Sequence, residues 1–479
     1  MGEIFPEFSL KFNGSLRLEA RAERLTAEAG ALLLREVDER LGLSQWLGER
    51  LLDTRDPSRI THPLKELVRT QLLLLGQGWR DQDDADMLRG DAALRLAVSD
   101  RKSTGPLKPI EGAPQGLASQ PTLSRLGALL AYGTNRAQLR EALVWFVGRR
   151  LRARTPSGRP LKQVTVDVDG LPVEVHGHQP GSAYNGHYQT RIYHPLVASI
   201  AETGDLLDAQ LREGNVHSAK GALEFVEELL DRVEKYIAKV AAVRFDAAFP
   251  EEKLLKRLEQ RGTHYVARCR NTAVLKREAA VARFVHSGVP KGEPGTFFRE
   301  WEYQAQGWSR PRRVVLVVLQ REGELFPDFF WLVTSWTKEQ MPAEQLLEHY
   351  RQRGTAEGHF GELMDVLAPA LSSVPRPKSR YRGQLPAQHS PSVDAFAHNE
   401  VRLILNALAY NLVHAARVLL EESTQEGWGL RRFRERVLKV AARVLVHARR
   451  VLLVLAWEAA GLWQKLWKKL GALSAAHVT

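Results

Sequence analysis

The sequence predicts an α/β fold: a mixed sheet with helices packed on it, interrupted by a β-rich insertion and flanked by helical N- and C-terminal regions. Three observations predict it. Apolar residues keep a helical period through the first 150 residues, then switch to a period of two at residue 162. Strand-like and helix-like segments alternate from there on. Residues 273–340 are dense in β-branched and aromatic residues, with turn signals between the runs.

Taking the elements in order, "RLEARAERLTAEAGALLLREVDERLGLSQWLGERLL" and "PLKELVRTQLLLLGQGWRDQDDADMLR" are amphipathic helices. A loop rich in Pro, Gly and Ser follows, and "SQPTLSR" opens another helix with Ser119 or Thr122 as its cap. "RARTPSGRPLK" is a short basic linker. "QVTVDVDG" then alternates Val164, Val166 and Val168 against Thr165, Asp167 and Asp169, as a strand does. "IYHPLVASIAET" and "LLDAQLREG" are the next two strands, joined by "ETGD". A helix ("SAKGALEFVEELLDRVEKYI"), a strand ending at Asp246 ("VAAVRFDAAF"), a helix ("PEEKLLKRLEQRG") and a strand ("THYVARCRN") complete the sheet. After the insertion, "PAEQLLEHYRQRGTAEGHFGELMDVL" resumes helix and puts Tyr350, Arg353 and Glu357 at i, i+3 and i+7, on one face. Near the end, "LRRFRERVLKVAARVLVHARRV" predicts a helix with Arg432, Arg436, Lys439 and Arg443 along one side and Val437, Val440 and Val444 on another. Its cations suit a phosphate backbone, and a solvated amphipathic helix accounts for them equally. The expected organisation is a helical region over 1–150, a core over 160–272 and 341–425 split by the insertion at 273–340, and a basic helical region over 426–479.

Composition narrows the class. The chain has 479 residues, enough for about three units, with 44% hydrophobic and 26% charged residues, as in soluble globular proteins. Cys269 is the one cysteine, which excludes an internal disulfide and a cysteine-rich zinc site and points to a reducing cytosol. The N-terminus lacks a basic region followed by an apolar core, so no secretory signal is expected. "VLLVLAWEAAGLW" is too short to span a bilayer, and no membrane segment is expected. The net charge of +12 favours a polyanionic partner such as nucleic acid, although ordinary proteins share a basic balance.

The carboxylates carry the chemistry. A charge inside an apolar strand is costly unless it is paired or bound to metal. Taken singly, a strand-end Asp reads as a cap or turn residue. Together, Asp167 and Asp169 on one strand face, Asp246 at the end of another strand and Glu357 on a later helix form a set of hard oxygen donors suited to Mg²⁺. Two such ions about 4 Å apart serve phosphodiester chemistry. His176, His178, His187 and His194 have no second ligand set and read as structural or DNA-facing. Trp301, Trp308, Trp331 and Trp336 could stack on bases, and core packing explains them just as well.

The run "DVDGLPVEVHGHQPGSAYNGHYQTRIYHPL", followed by "LREGNVHSA", "RFDAAF", "YRQRGTAE" and "NEVRLILNALAYNL", resembles the DDE transposases of bacterial insertion sequences over roughly residues 160 to 450. The resemblance implies an RNase H-like core and a transposase that cuts element ends by metal-dependent hydrolysis and joins them to target DNA through the freed 3′-hydroxyl. It also implies two Mg²⁺ ions (Mn²⁺ substituting), double-stranded DNA ends and target as partners, a homodimeric synaptic complex and a cytoplasmic location. Carried over residue by residue, Asp246 is the second acid and Glu357 the third. The first aligns with Asp169, but Gly170 and Leu171 depart from the family's small residue and Thr or Ser, so Asp167 stays in the site as the alternative. Asp169, Asp246 and Glu357 would be the metal ligands, and Tyr350 and Arg353 would contact phosphates of the DNA end. The family's Lys seven residues after the Glu is Met364 here, which leaves its contact absent or supplied by the basic loop "VPRPKSRYRG". Two rival readings are an RNase H-like nuclease acting on branched DNA and an inactive DNA-binding descendant.

Overall fold

The computed structural model describes residues 3–4, 11–16, 19–20, 22–109, 116–154, 161–175, 177, 179–285, 294–324, 327–372 and 391–473, without side-chain detail at 3, 4, 19, 154, 281–285 and 391–394. His176, His178 and the basic loop 374–383 lie outside the described residues. The centre is an eight-stranded mixed sheet built from β1 (Gln163–Gly170), β2 (Leu196–Ile200), β3 (Leu206–Gln210), β4 (Lys239–Phe245), β5 (His264–Arg268), β6 (Gly295–Tyr303), β7 (Arg312–Gln320) and β8 (Asp328–Thr334). Its spatial order is β6-β7-β8-β5-β4-β1-β2-β3. Strands β1, β2 and β3 form an antiparallel meander. Strands β4 and β5 then run parallel to β1.

The expected β-rich insertion is not a separate unit. After helix α3 (Ala273–Val285), its three strands extend the same sheet, because β8 pairs antiparallel with β5, Val266 opposite Thr334. An edge strand with open N–H and C=O groups is thereby covered. The tryptophans follow from this. Trp331 is fully buried, edge to face with Trp301 at 4.7 Å, and Trp308 and Trp336 are buried too, so these rings pack the core rather than await a base.

Helices cover both faces. Helix α2 (Ala222–Tyr236) turns Phe225, Val226, Leu229, Leu230 and Val233 inward as one stripe, against Val164, Val166 and Val168 of β1. The other face of β1 is buried as well, so its Thr165–Asp167 alternation does not mark solvent. Helices α4 (Ala343–Arg351) and α5 (Arg353–Glu362) lie on that side, part of α4's core packing against Ala242, Val266 and Leu332. The long helix α6 (Pro391–Thr424) is apolar enough to cross a membrane by length and composition, yet its apolar window is wholly buried in the fold. It is a core helix. Asn411 holds the backbone of Leu206 both ways, accepting from its N–H at 2.9 Å and donating to its carbonyl at 2.7 Å.

The N-terminal helices, including α1 (Gly133–Arg154), share one continuous hydrophobic core with α6 and the C-terminal helix Trp457–Ala472. The expected basic helix is instead a short helix (Leu430–Phe433), a π turn (Arg434–Leu438) and a β-hairpin (Ala442–His447 with Arg450–Leu455) that also pairs with Leu25–Thr26. Val440 and Val444, four residues apart, satisfy a period of two as well as one of 3.6, and Ala448 at φ 53° closes the two-residue turn. Consequently Arg432, Arg436, Lys439 and Arg443 do not line one helix face.

Candidate active site

Register places the acids. Strands β1 and β4 run parallel with Asp167 opposite Arg244, so two residues further along each strand bring Asp169 level with Asp246. Asp246 follows the end of β4 and accepts the Ala248 N–H at 2.8 Å, the behaviour of a turn residue. Glu357 comes from above, on α5, with its side chain 59% exposed.

Arg353 ties this group together. Its guanidinium donates to Asp169 Oδ2 at 2.5 Å and to Glu357 Oε1 at 2.6 Å. Burial, opposed by Arg353 and reinforced by the charges of Asp246 and Glu357, pushes the Asp169 carboxyl up to about 6. Tyr350 sits beneath, its ring 6.5 Å from Phe330, and burial raises its phenol. The helix does break once: Gln352 separates α4 from α5, so Tyr350 lies on one segment and Arg353 with Glu357 on the next.

Asp167 has a different employment. Arg244 donates to both of its oxygens at 2.6 Å, in a pair that is 1% and 2% exposed. Arg244 also donates to the His349 carbonyl at 2.7 Å, which fastens β4 to α4. Both oxygens of the alternative first acid thus face a guanidinium.

The rim shows residues that periodicity could not single out. Tyr188 stacks edge-on with His187 at 4.8 Å and with His194 at 5.9 Å. Burial, then the charges of Asp169 and Asp246, push the Tyr188 phenol up. The His194 ring explains Gly170: a Cβ there would stand 2.7 Å from His194 Nε2. All four residues fall within the motif run "DVDG…NGHYQTRIYHPL", and that run was the available signal.

Beneath α5 lies a second polar set. Glu362 accepts from Arg417 at 2.6 Å and from the Leu430 N–H at 2.8 Å. Arg417 also donates to His414 at 2.6 Å, and the other ring nitrogen of His414 meets the Thr203 carbonyl at 2.9 Å. These bonds fix the end of the Glu357 helix on α6. Met364, where the family has Lys, packs half-buried against the core.

The proposed phosphate contacts at the C-terminus are dispersed. Lys439 is paired with buried Glu28 at 2.7 Å and lies 4.1 Å over Trp79. Arg443, on the hairpin, reaches Glu23 at 3.4 Å. Arg432 lies over Trp428 and 3.6 Å from Glu426. Arg436 is exposed.

Asp169, its carboxyl raised, with Asp246 and Glu357 acting on it, makes three oxygen donors of the kind a hard divalent cation takes, since a cation would relieve that charge. As they stand, no three His, Cys, Asp or Glu side chains among the described residues are close enough to hold an ion. Arg353 lies between two of the three acids.

The family model described as "Transposase DDE domain group 1" matches residues 8–372 and 382–475. No curated protein matches this chain. A solved cryo-EM structure of the piggyBac transposase synaptic complex with hairpin DNA is similar over 85% of this chain and 78% of that one, at 14% identity and a TM-score of 0.41.

Proposed function

This chain belongs to the group 1 family of DDE-domain transposases, and we propose from that premise that it performs cut-and-paste transposition of a bacterial insertion sequence, with Asp169, Asp246 and Glu357 as its acidic triad. The observation that carries the assignment is the register of β1 against β4, which sets Asp169 level with Asp246, together with Arg353 reaching from the Glu357 helix to Asp169. The strand order β3-β2-β1-β4-β5, an antiparallel meander followed by two strands parallel to β1, supports an RNase H-like core.

The three acids would hold Mg²⁺, or Mn²⁺ in its place, which supplies activation of the attacking oxygen and stabilisation of the leaving one. The protein's own groups do the positioning. Arg353, released from the carboxylates, presents a planar fork to a phosphate of the DNA end, and Tyr350, three residues earlier on α4, would offer its hydroxyl to the same end. The buried pair Asp167–Arg244 keeps β1 and β4 in register, and Glu362–Arg417 keeps α5 seated. Two ends must be cut and joined together, so a homodimer with one end per subunit is the expected working form.

The experiment is Mg²⁺-dependent cleavage of a duplex carrying the element's end. Asp246→Asn and Glu357→Gln should each abolish cleavage and strand transfer while end binding stays within a few fold, because the DNA surface is untouched. Cleavage within about tenfold of the unmodified protein, in either variant, sinks the triad.

A further inference from the structure

A groove of about 870 Å³ opens on the N-terminal side of the molecule, between residues 54–62, the helix Gln120–Leu130, the start of α1 and the start of α6. Its walls carry Arg55, Arg59, Arg89, Arg125 and Arg136 against one acid, Asp56. Two of these cations are neutralised from behind: Arg55 by Asp53 at 2.6 Å and Arg136 by Glu400 at 2.5 Å. The other three are not balanced in that way. Arg59 is 86% exposed and only 3.6 Å from Asp56, itself 54% exposed. Arg89 donates to the Leu117 carbonyl at 3.2 Å and Arg125 to the Thr122 hydroxyl at 3.2 Å, both neutral oxygens, and neither makes an ion pair among the described residues. Hydroxyls complete the wall: Ser119 and Thr122 lie 3.1 Å apart at the head of the helix, and Tyr132 is 58% exposed at its mouth. Arg136 keeps a buried Nε without a hydrogen-bond partner.

Arginines interleaved with hydroxyl-bearing side chains, on a concave surface that keeps Arg89 and Arg125 without an acidic partner among the described residues, are the residue types that contact phosphate oxygens and sugars of a nucleic-acid backbone. We infer that this groove binds the sugar-phosphate backbone of duplex DNA, with Arg59, Arg89 and Arg125 neutralising phosphates. It deepens the reading given above, on which it rests: the duplex whose end enters the acidic triad is gripped a second time by the N-terminal helices. The contact is electrostatic and independent of sequence, so it is testable without knowing the element's ends.

The probe is a fluorescein-labelled random-sequence duplex, titrated by anisotropy across a KCl series. The triple variant Arg59→Gln/Arg89→Gln/Arg125→Gln should bind at least about tenfold more weakly at moderate salt, and its log Kd–log salt slope should flatten by about 0.9 per lost phosphate contact. The corresponding triple Lys variant should recover most of the slope, because it restores charge. If the triple Gln variant melts early, Arg59→Gln alone, at a fully solvated side chain, should still flatten the slope by about 0.9. Unchanged affinity and slope in the folded Gln variants overturn the inference, and a groove built for an acidic protein gives that same result. Asp246→Asn in the cleavage assay separates the two ideas. If it loses cleavage while the groove variants bind as before, the triad stands and the groove falls. If it cleaves normally while the groove variants lose binding, the reverse holds.

Discussion

Arg353 reaches Asp169 at 2.5 Å from the first residue of the helix that carries Glu357, so one guanidinium spans from the central strand to that helix. A cation already stands where two of the acids would share another. Removing it should therefore help a metal ion and harm DNA chemistry. Arg353→Gln is expected to bind Mn²⁺ roughly tenfold more tightly in the absence of DNA, the scale of one charged hydrogen bond, while end cleavage falls sharply. Calorimetric titration of the DNA-free protein decides this. Mn²⁺ affinity that stays level or weakens would show that the guanidinium is not competing for the site.

Asp167 and Asp169 are two residues apart and should fail differently. Asp167→Asn leaves Arg244 buried without its carboxylate, which costs about 3–5 kcal/mol in comparable buried pairs. Its melting temperature should drop markedly. Asp169→Asn should stay folded and lose cleavage. Equal loss of stability in the two variants would place Asp169 in the structural category as well.

Glu362 gives the fold an acid limb. Burial alone would raise its carboxyl, but His359, Arg417 and the Leu430 N–H hold it down to about 2. Its folded value lies below that of the unfolded chain, about 4.3, so its contribution is complete above that pH and drains away as pH falls toward 2. His414, which burial holds at about 3, pushes the same way, since the unfolded imidazole takes up a proton that the folded one refuses. Glu362→Gln should lower the melting temperature at pH 7, by an amount equivalent to at most about 3 kcal/mol, and the gap from the unmodified protein should shrink steadily below pH 4. A gap that is constant with pH would mean the carboxylate's charge contributes nothing there.

Lys439 separates packing from DNA contact at the C-terminus. Lys439→Met strands Glu28, which is 2% exposed, and should destabilise the protein by about 3 kcal/mol or more. The salt dependence of DNA binding should not change. Arg432→Gln/Arg436→Gln, at exposed positions, should instead leave stability alone and flatten the salt slope. Loss of slope in the Lys439 variant would return it to the DNA surface.

What the chain's own letters settled was order and kind. The three-strand, helix, strand, helix, strand succession is written in the switch between periods of 3.6 and two, and the observed elements from Gln163 to Arg268 follow it except for the short strands Val173–Glu174, Ala183–Asn185 and Thr190–Tyr193, which form a small sheet of their own. The same reading put Asp167, Asp169, Asp246 and Glu357 forward as a set of carboxylates, and the family resemblance made Asp246 the second acid, Glu357 the third and Asp169, ahead of Asp167, the first. Tertiary structure decided what each charge does. Asp167 and Asp169 look alike in "DVDG", and only the register of β4 reveals that Arg244 faces the first of them. Val440 and Val444, four residues apart, fit a helix and a strand equally well, and pairing with Leu25–Thr26 chose the hairpin, because hydrogen bonds from a distant segment outweigh a weak local preference. The insertion's strands carry no mark of which edge they join. Helix α6 is buried on every side because it is enclosed by the N-terminal helices, the sheet and the C-terminal helix, an environment assembled from segments hundreds of residues apart. Local period is a property of neighbours in the chain, whereas partner choice and burial are set by neighbours in space.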